Sequence, residues 1–268
     1  SDLLEITFLE KMSLVLKEIS NHIAILTINR PEVLNAMNDE VVADLDTAVQ
    51  SCIEDEQVGV IILTGAGEKA FVAGADIKKM QSMGSEAALE FGKAGQQMTL
   101  TIENSPKPVI AAVNGFALGG GCEISLACHI RVASDTATFG QPEVLLGILP
   151  GWGGTQRLPR LVGSGLANEI ITTGRMVSAL EAKSMGLVNH VVPPDELMNK
   201  CMEIANQILK NGPNAIAQSL SCIQKRMGMS MEDGLQIEVE NFSKLFATEE
   251  AKEGLSAFVE KRKPNFRN

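Results

Sequence analysis

The chain predicts an α/β fold, and three observations carry the prediction. Two short runs of β-branched and small apolar residues, Val58 to Thr64 (VGVIILT) and Val109 to Val113 (VIAAV), have the length and bounding turn residues of buried strands. Between them the apolar residues fall instead at helical spacing. The second run passes through a glycine-rich turn into a helix, so strand, turn and helix alternate as far as Pro193, beyond which the texture is helical alone.

Taken in order, Ser1 to Lys11 precede Met12, and MSLVLKEISNHIAILTINRP runs on from there into the first strand. Residues 1–11 are therefore expected to be an extraneous or flexible arm. Ala24 to Asn29 alternates as a strand and is stopped by Arg30-Pro31, because proline donates nothing to a ladder. Asn38 is placed to cap a helix whose Val41, Val42, Leu45, Ala48, Val49, Cys52 and Ile53 form one apolar stripe. After the strand Val58 to Thr64, Gly65-x-Gly67-x-x-Ala70 mimics a dinucleotide fingerprint. The next residues, KAFVAGAD, continue as strand where that motif requires a helix, so a nicotinamide site is rejected.

A loosely amphipathic helix is expected from about Glu86 to Glu103, ending before Pro106 and Pro108. Past Val113 a helix is expected from Gly120 to about His129, then the strand IRVAS, a loop DTATFGQPE and the glycine-dense LLGILPGWGGTQRLP. Ser178 and Glu181 have the spacing of a capping box, with Gly186 as the closing residue before LVNHVV. Helices follow from Leu197 to Gly212, from Pro213, from Leu235 to Phe246 and from Thr248 to Lys263.

Composition excludes several function classes. The formal net charge of -10 argues against a nucleic-acid partner. The five cysteines, Cys52, Cys122, Cys128, Cys201 and Cys222, are odd in number and form no CxxC pair, so they read as reduced, mostly buried thiols. No apolar run reaches membrane-spanning length, and no basic leader opens the chain, so no membrane role and a cytoplasmic location are expected.

One stretch points to chemistry: NGFALGGGCE, Asn114 to Glu123, with its companion FGQPE, Phe139 to Glu143. Gly119, Gly120 and Gly121 leave NH groups uncovered at a helix start, where the unpaired donors and the peptide dipoles attract negative charge. Glu123 lies just inside that helix, an acid beside an anion hole.

AFVAGADIKKM, KPVIAAVNGFALGGGCEISLAC, FGQPEVLLGILPGWGGTQRLPRLVG and TGRMVSALEAKSMGLVNHVVP, in this order, resemble the enoyl-CoA hydratase (crotonase) family, over about Leu14 to Phe266. The resemblance implies the crotonase fold, a spiral of ββα units over 12–193, followed by a helical trimerisation region over 194–268. It also implies a homotrimer, or a homohexamer built as a dimer of trimers. The implied reaction is reversible syn addition of water to trans-2-enoyl-CoA, giving 3-hydroxyacyl-CoA. Coenzyme A enters as part of the acyl-CoA substrate, with no separate cofactor and no metal.

Matched residue by residue, the family's two catalytic glutamates fall on Glu123 and Glu143, and its oxyanion donors on the backbone NH groups of Ala75 and Gly120. Gly151 matches the glycine whose NH holds the water, and Trp152 either shapes the acyl pocket or simply packs. Ala75, Asp76, Ile77 and Lys78 line the adenine and pantetheine path, Ala73 is a further substrate- or coenzyme-binding residue, and Lys69, Lys78 and Lys261 are the candidates for the phosphates. His129 departs from the family pattern, which has Asp there in many members, and puts the hydrogen bonding at that helix end in question. Two alternatives stand beside hydration: an isomerase or another acyl-CoA lyase on the same scaffold, and a non-catalytic or RNA-binding homologue, which the charge disfavours.

Overall fold

The computed structural model describes residues 13–225 and 228–267. The arm expected over residues 1–11 lies outside them. Val15–Ser20 (β1) and Ile23–Ile28 (β2) form an antiparallel hairpin. Its two-residue turn, Asn21 and His22, has φ of 50° and 64°, the left-handed pair that matches strand twist. β1 was not expected from the sequence. It is an outer strand with Val15 alone buried, and Lys17 and Glu18 erase the alternation that marks a half-buried strand.

From there the chain repeats a strand, a second strand and a helix. Val60–Gly65 (β3) is followed by Ala70–Val72 (β4), Val109–Val113 (β5) by Phe116–Leu118 (β6), and Ile130–Ser134 (β7) by Thr138–Gly140 (β8). The first member of each pair joins one sheet and the second joins another. With Val177–Ser178 (β9) and His190–Val192 (β10), the six-stranded sheet runs β1-β2-β3-β5-β7-β10 and the four-stranded sheet β4-β6-β8-β9. Pairing is parallel except at β1–β2 and β8–β9. The result is the expected spiral of ββα turns.

The helices are Asp39–Glu54 (α1), Ile77–Met80 (α2), Ser85–Glu103 (α3), Gly120–Ala127 (α4), Gly154–Val162 (α5), Ser164–Thr173 (α6) and Ala179–Ser184 (α7). Leu197–Ile208 (α8), Pro213–Lys225 (α9), Met231–Leu245 (α10) and Glu249–Val259 (α11) complete the chain. Asn38 caps α1 as its sequence predicts, accepting the Val41 NH at 3.0 Å. Because side chains alternate across a strand, β3 and β5 are buried on both faces. Ile61, Leu63, Val109 and Ala111 enter the main core with the α1 stripe, while Val60, Ile62, Ile110 and Ala112 meet Leu197, Cys201 and Ala205 of α8.

Three expectations are corrected in detail. The helix of Glu123 stops at Ala127, two residues early, because Cys128 turns extended and the His129 backbone joins β5. The His129 ring ties that end of the helix to β5, its Nδ1 accepting the Val109 NH at 2.9 Å. The loop DTATFGQPE contains β8 and the first residues of a 3-10 turn, Pro142–Leu146. At α7, Ser178 Oγ accepts the Glu181 NH at 3.2 Å, but the Glu181 carboxylate pairs with Arg175 at 2.8 Å instead of completing a capping box.

Candidate active site

Three parallel strands of the small sheet end at one place, the side of an α/β sheet where ligand sites form. Gly74 follows β4 and Gly119 follows β6, with φ of 114° and 51° that side-chain-bearing residues rarely adopt. Gly119 donates its NH to the carbonyl of Gly140, at the end of β8, at 2.9 Å. A Cβ built on Gly119 would stand 2.9 Å from Glu143 Oε1 and 3.9 Å from the Gly74 Cα. The three segments carrying Ala75, Gly120 and Glu143 therefore converge on a point that only glycine leaves open.

Two backbone donors flank that point. Gly120 is the first residue of α4, so its NH has no acceptor within the helix. Ala75 forms an isolated parallel bridge with Met37, made by the Met37 NH to Gly74 and the Asp76 NH to Met37, at 2.9 and 2.8 Å. In that pattern the NH of Ala75 itself is turned away from the bridge.

Glu123 sits one turn into α4 and is 2 % exposed. Its Oε1 accepts the NH groups of Trp152 and Gly154, both at 2.8 Å. Burial raises its pKa above the usual carboxylate range, against the pull of those donors and of the Arg157 charge. Both of these hydrogen bonds fall on Oε1, and the Gly153 NH adds a further pull on the carboxylate. Glu143, half-buried at the start of the 3-10 turn, has its pKa pushed up to about 7, chiefly by burial, with the negative charge of Glu123 adding to it. With the Gln141 amide turned so that its NH2 faces the carboxylate, it lies 3.2 and 3.3 Å from the two Glu143 oxygens. Burial raises both pKa values, and the acids differ in how they are held: Glu123 takes two backbone NH groups on a single oxygen, whereas the Gln141 amide faces both oxygens of Glu143.

Gly151 is half-buried, with open space where a side chain would stand, and its carbonyl accepts from Gln96 Nε2 at 2.9 Å. Trp152 is 4 % exposed and packs. Its ring fills the volume above Gly95 and Gly120 and meets Phe91 edge-on, with centroids 5.2 Å apart. The proposed coenzyme path is more dispersed. Ala75, Asp76, Ile77 and Lys78 are consecutive on the rim, Asp76 pairing with Arg30 at 3.4 Å and Ile77 and Lys78 exposed. The Ala73 NH is occupied by the Leu34 carbonyl at 3.0 Å. Lys69 is exposed at the entry to β4. Lys261 is not brought to this rim by any contact among the described residues. It belongs to the C-terminal tail, whose Arg267 donates to the carbonyls of Leu209 and Asn211 and stands beside Gly59 at the entry to β3.

The sequence reading missed Gln141, Arg157 and the α3 residues Gln96, Thr99 and Glu103. The α3 set was available as a polar stripe at one helical spacing, and Gln141 as the other hydrogen-bonding side chain of Gln-Pro-Glu. Among the described residues no group of three or more His, Cys, Asp or Glu side chains is arranged to hold a metal ion.

A chain that pairs a buried and a half-buried acid with unpaired backbone donors at the mouth of a ββα spiral is defined as a class by that arrangement. The profile of the enoyl-CoA hydratase/isomerase family matches residues 18–268, and the chain belongs to that family. It is 50% identical over 249 residues to a short-chain-enoyl-CoA hydratase of Clostridium acetobutylicum, covering 93% of this chain and 95% of that one. It is 47% identical over 252 residues to a crotonyl-CoA hydratase of Syntrophomonas wolfei, covering 94% and 97%. The crystal structure of an enoyl-CoA hydratase from Bacillus anthracis superposes with a TM-score of 0.92 at 41% identity, covering 95% of this chain and 99% of that one. The fold is the crotonase fold.

Proposed function

We propose that this enzyme, an enoyl-CoA hydratase, adds water reversibly and syn to trans-2-enoyl-CoA, using Glu123 and Glu143 as its acid–base pair. The observation that carries the reading is the unequal treatment of the two acids around one glycine-lined point. The thioester oxygen lies between the NH groups of Ala75 and Gly120, which face the charge as it develops and need no reorganisation to do so. A water held by Glu123 Oε2, Glu143 and the Gly151 NH attacks Cβ. Glu123 takes the proton from the water and Glu143 delivers one to Cα, after which the proton returns from Glu123 to Glu143 through the next water. An isomerase needs only one such acid, so the presence of both favours hydration.

The core over 12–193 carries this chemistry, and the region over 194–268 joins copies into a trimer or hexamer. The apolar side chains that α10 and α11 leave exposed, Phe258 at 86 % among them, support that role. Lys69 and Lys78 on the rim are the phosphate contacts. A cytoplasmic location accords with five free cysteines and with the absence, among the described residues, of a helix long and apolar enough to cross a membrane. The test is the loss of enoyl-thioester absorbance when the protein meets crotonyl-CoA, beside Glu123→Gln and Glu143→Gln. Fast loss in the parent with both variants impaired is expected; tight acyl-CoA binding without turnover overturns the proposal.

A further inference from the structure

We propose that Arg157 is a positioning residue for Glu123. Through the loop at Gly151 to Gly154 it holds two NH donors on one carboxylate oxygen and so leaves the other oxygen free for water. The inference rests on the reading of Glu123 as the base.

The loop is held from α3 and α5. Gln96, Thr99 and Glu103 lie along one face of α3 at i, i+3 and i+7. Arg157, on α5, has a 7 % exposed side in the core and forms a fork with Glu103, Nε to Oε1 at 3.0 Å and Nη2 to Oε2 at 2.8 Å. Its remaining Nη1 donates to the Trp152 carbonyl at 2.9 Å and to Thr99 Oγ1 at 3.2 Å. The Thr99 hydroxyl itself lies 3.1 Å from the same carbonyl. Gly153 has φ of 112°, and the guanidinium occupies the space a side chain there would need.

Peptide geometry turns these contacts into a constraint on Glu123. The NH and C=O of one peptide unit point in opposite directions. Gln96 holds the carbonyl end of the unit joining Gly151 to Trp152, and Glu123 Oε1 receives its NH end. Arg157 and Thr99 hold the next carbonyl, that of Trp152, which fixes the plane between the two donating units. A buried ion pair is weak evidence for stability, since desolvation offsets its attraction. What this pair does supply is a fixed third donor, aimed at the backbone that binds the base.

The charged and titratable groups around Glu123 are few. Glu143 faces it across the site, Arg157 and behind it Glu103 come from α5 and α3, and the Cys122 thiol, pushed up to about 12 by burial, lies on its own helix. Ala70–Val72 and Phe116–Leu118, the β4 and β6 strands packed on α4, contain none. Loosening the loop therefore removes donors that favour the charged form of Glu123, with no other cation to replace them.

The experiment compares Arg157→Lys, Glu103→Gln and Thr99→Val with the parent, by steady-state kinetics against pH and by infrared titration of the Glu123 carboxyl band, assigned with Glu123→Gln. Arg157→Lys keeps a charge and loses the fork. We expect kcat to fall about 10²-fold with KM little changed, and the acid limb and the Glu123 band to move up by about one pH unit. Thr99→Val, which removes a hydroxyl and keeps the shape, is expected to move both in the same direction by less. Variants that only melt earlier, with kcat, acid limb and infrared titration at parental values, overturn the proposal. Should Arg157→Lys not fold, Thr99→Val and Glu103→Gln decide it. The infrared titration reads the positioning of Glu123 even if crotonyl-CoA is not turned over, so failure of the hydratase reading and failure of this one remain distinct.

Discussion

α4 and α10 place opposite demands on the same chain. Every one of the eight residues of α4 is buried, a carboxylate included, whereas none of the fifteen residues of α10 is. In α4 the polar misfit is answered from within the molecule: two NH groups donate to Glu123, and a guanidinium holds the loop that carries them. In α10 the misfit is apolar. Met231, Leu235, Val239 and Phe242 recur along one side and remain exposed, Phe242 at 61 %. An amphipathic helix whose apolar side faces out is completed by another surface. The first helix is finished by its own fold and the second, in the trimer or hexamer proposed above, by assembly, so chemistry and association can be broken separately.

The largest break is chemical. Glu123→Gln or Glu143→Gln is expected to lower kcat by about 10²–10⁴-fold while sedimentation is unchanged. Gly120→Val comes next, since its Cβ would stand 2.5 Å from the Trp152 ring. Overpacking of this kind costs about 1–3 kcal/mol and displaces the donor, so both melting temperature and kcat fall. On the other side of the comparison, Leu235→Asp with Phe242→Asp is expected to shift sedimentation toward the single chain, while far-ultraviolet circular dichroism stays at the parental value.

A smaller effect sharpens the contrast through pH. The folded pKa of Glu143 lies above its unfolded value, so the fold binds an extra proton between the two. That contribution to stability is complete below the unfolded value and lost as pH rises through about 7. Glu143→Gln keeps the neutral shape, so its melting temperature is expected to exceed the parent's above pH 7, with the gap closing at acid pH. The smallest effect is at a helix cap: Thr248 Oγ1 accepts the Ala251 NH at 3.1 Å, and Thr248→Ala should cost about 1 kcal/mol in chemical denaturation.

What was legible in the sequence was whatever is decided over a few neighbouring residues. β3 and β5 announce themselves because both faces are buried, and Asn38 because a cap bonds three residues ahead. β1 was hidden by its exposed edge, and β6, β8 and β9 by having only two or three residues each. The convergence of Gly74, Gly119 and Glu143 was reachable by resemblance, and its reason only from the parallel register of β4, β6 and β8. The Arg157–Glu103 fork joins residues 54 apart, and nothing local in either segment specifies the other. Lys261 shows the converse: a basic residue near the chain end carries no address until the tail is placed.

The register of the large sheet also sets an order of events in time. Ile61 pairs with Val109 and Ala111 with Arg131, so each parallel rung joins segments separated by a whole turn of the spiral. Such closures are slow, because chain entropy is lost before contacts are gained. The β1–β2 hairpin is different: its turn is two residues long and already left-handed, and hairpins close in about 1–10 μs. The hairpin is therefore expected to form before β3, β5, β7 and β10 join it, and the catalytic point, which needs β4, β6 and β8 together, is expected late in folding.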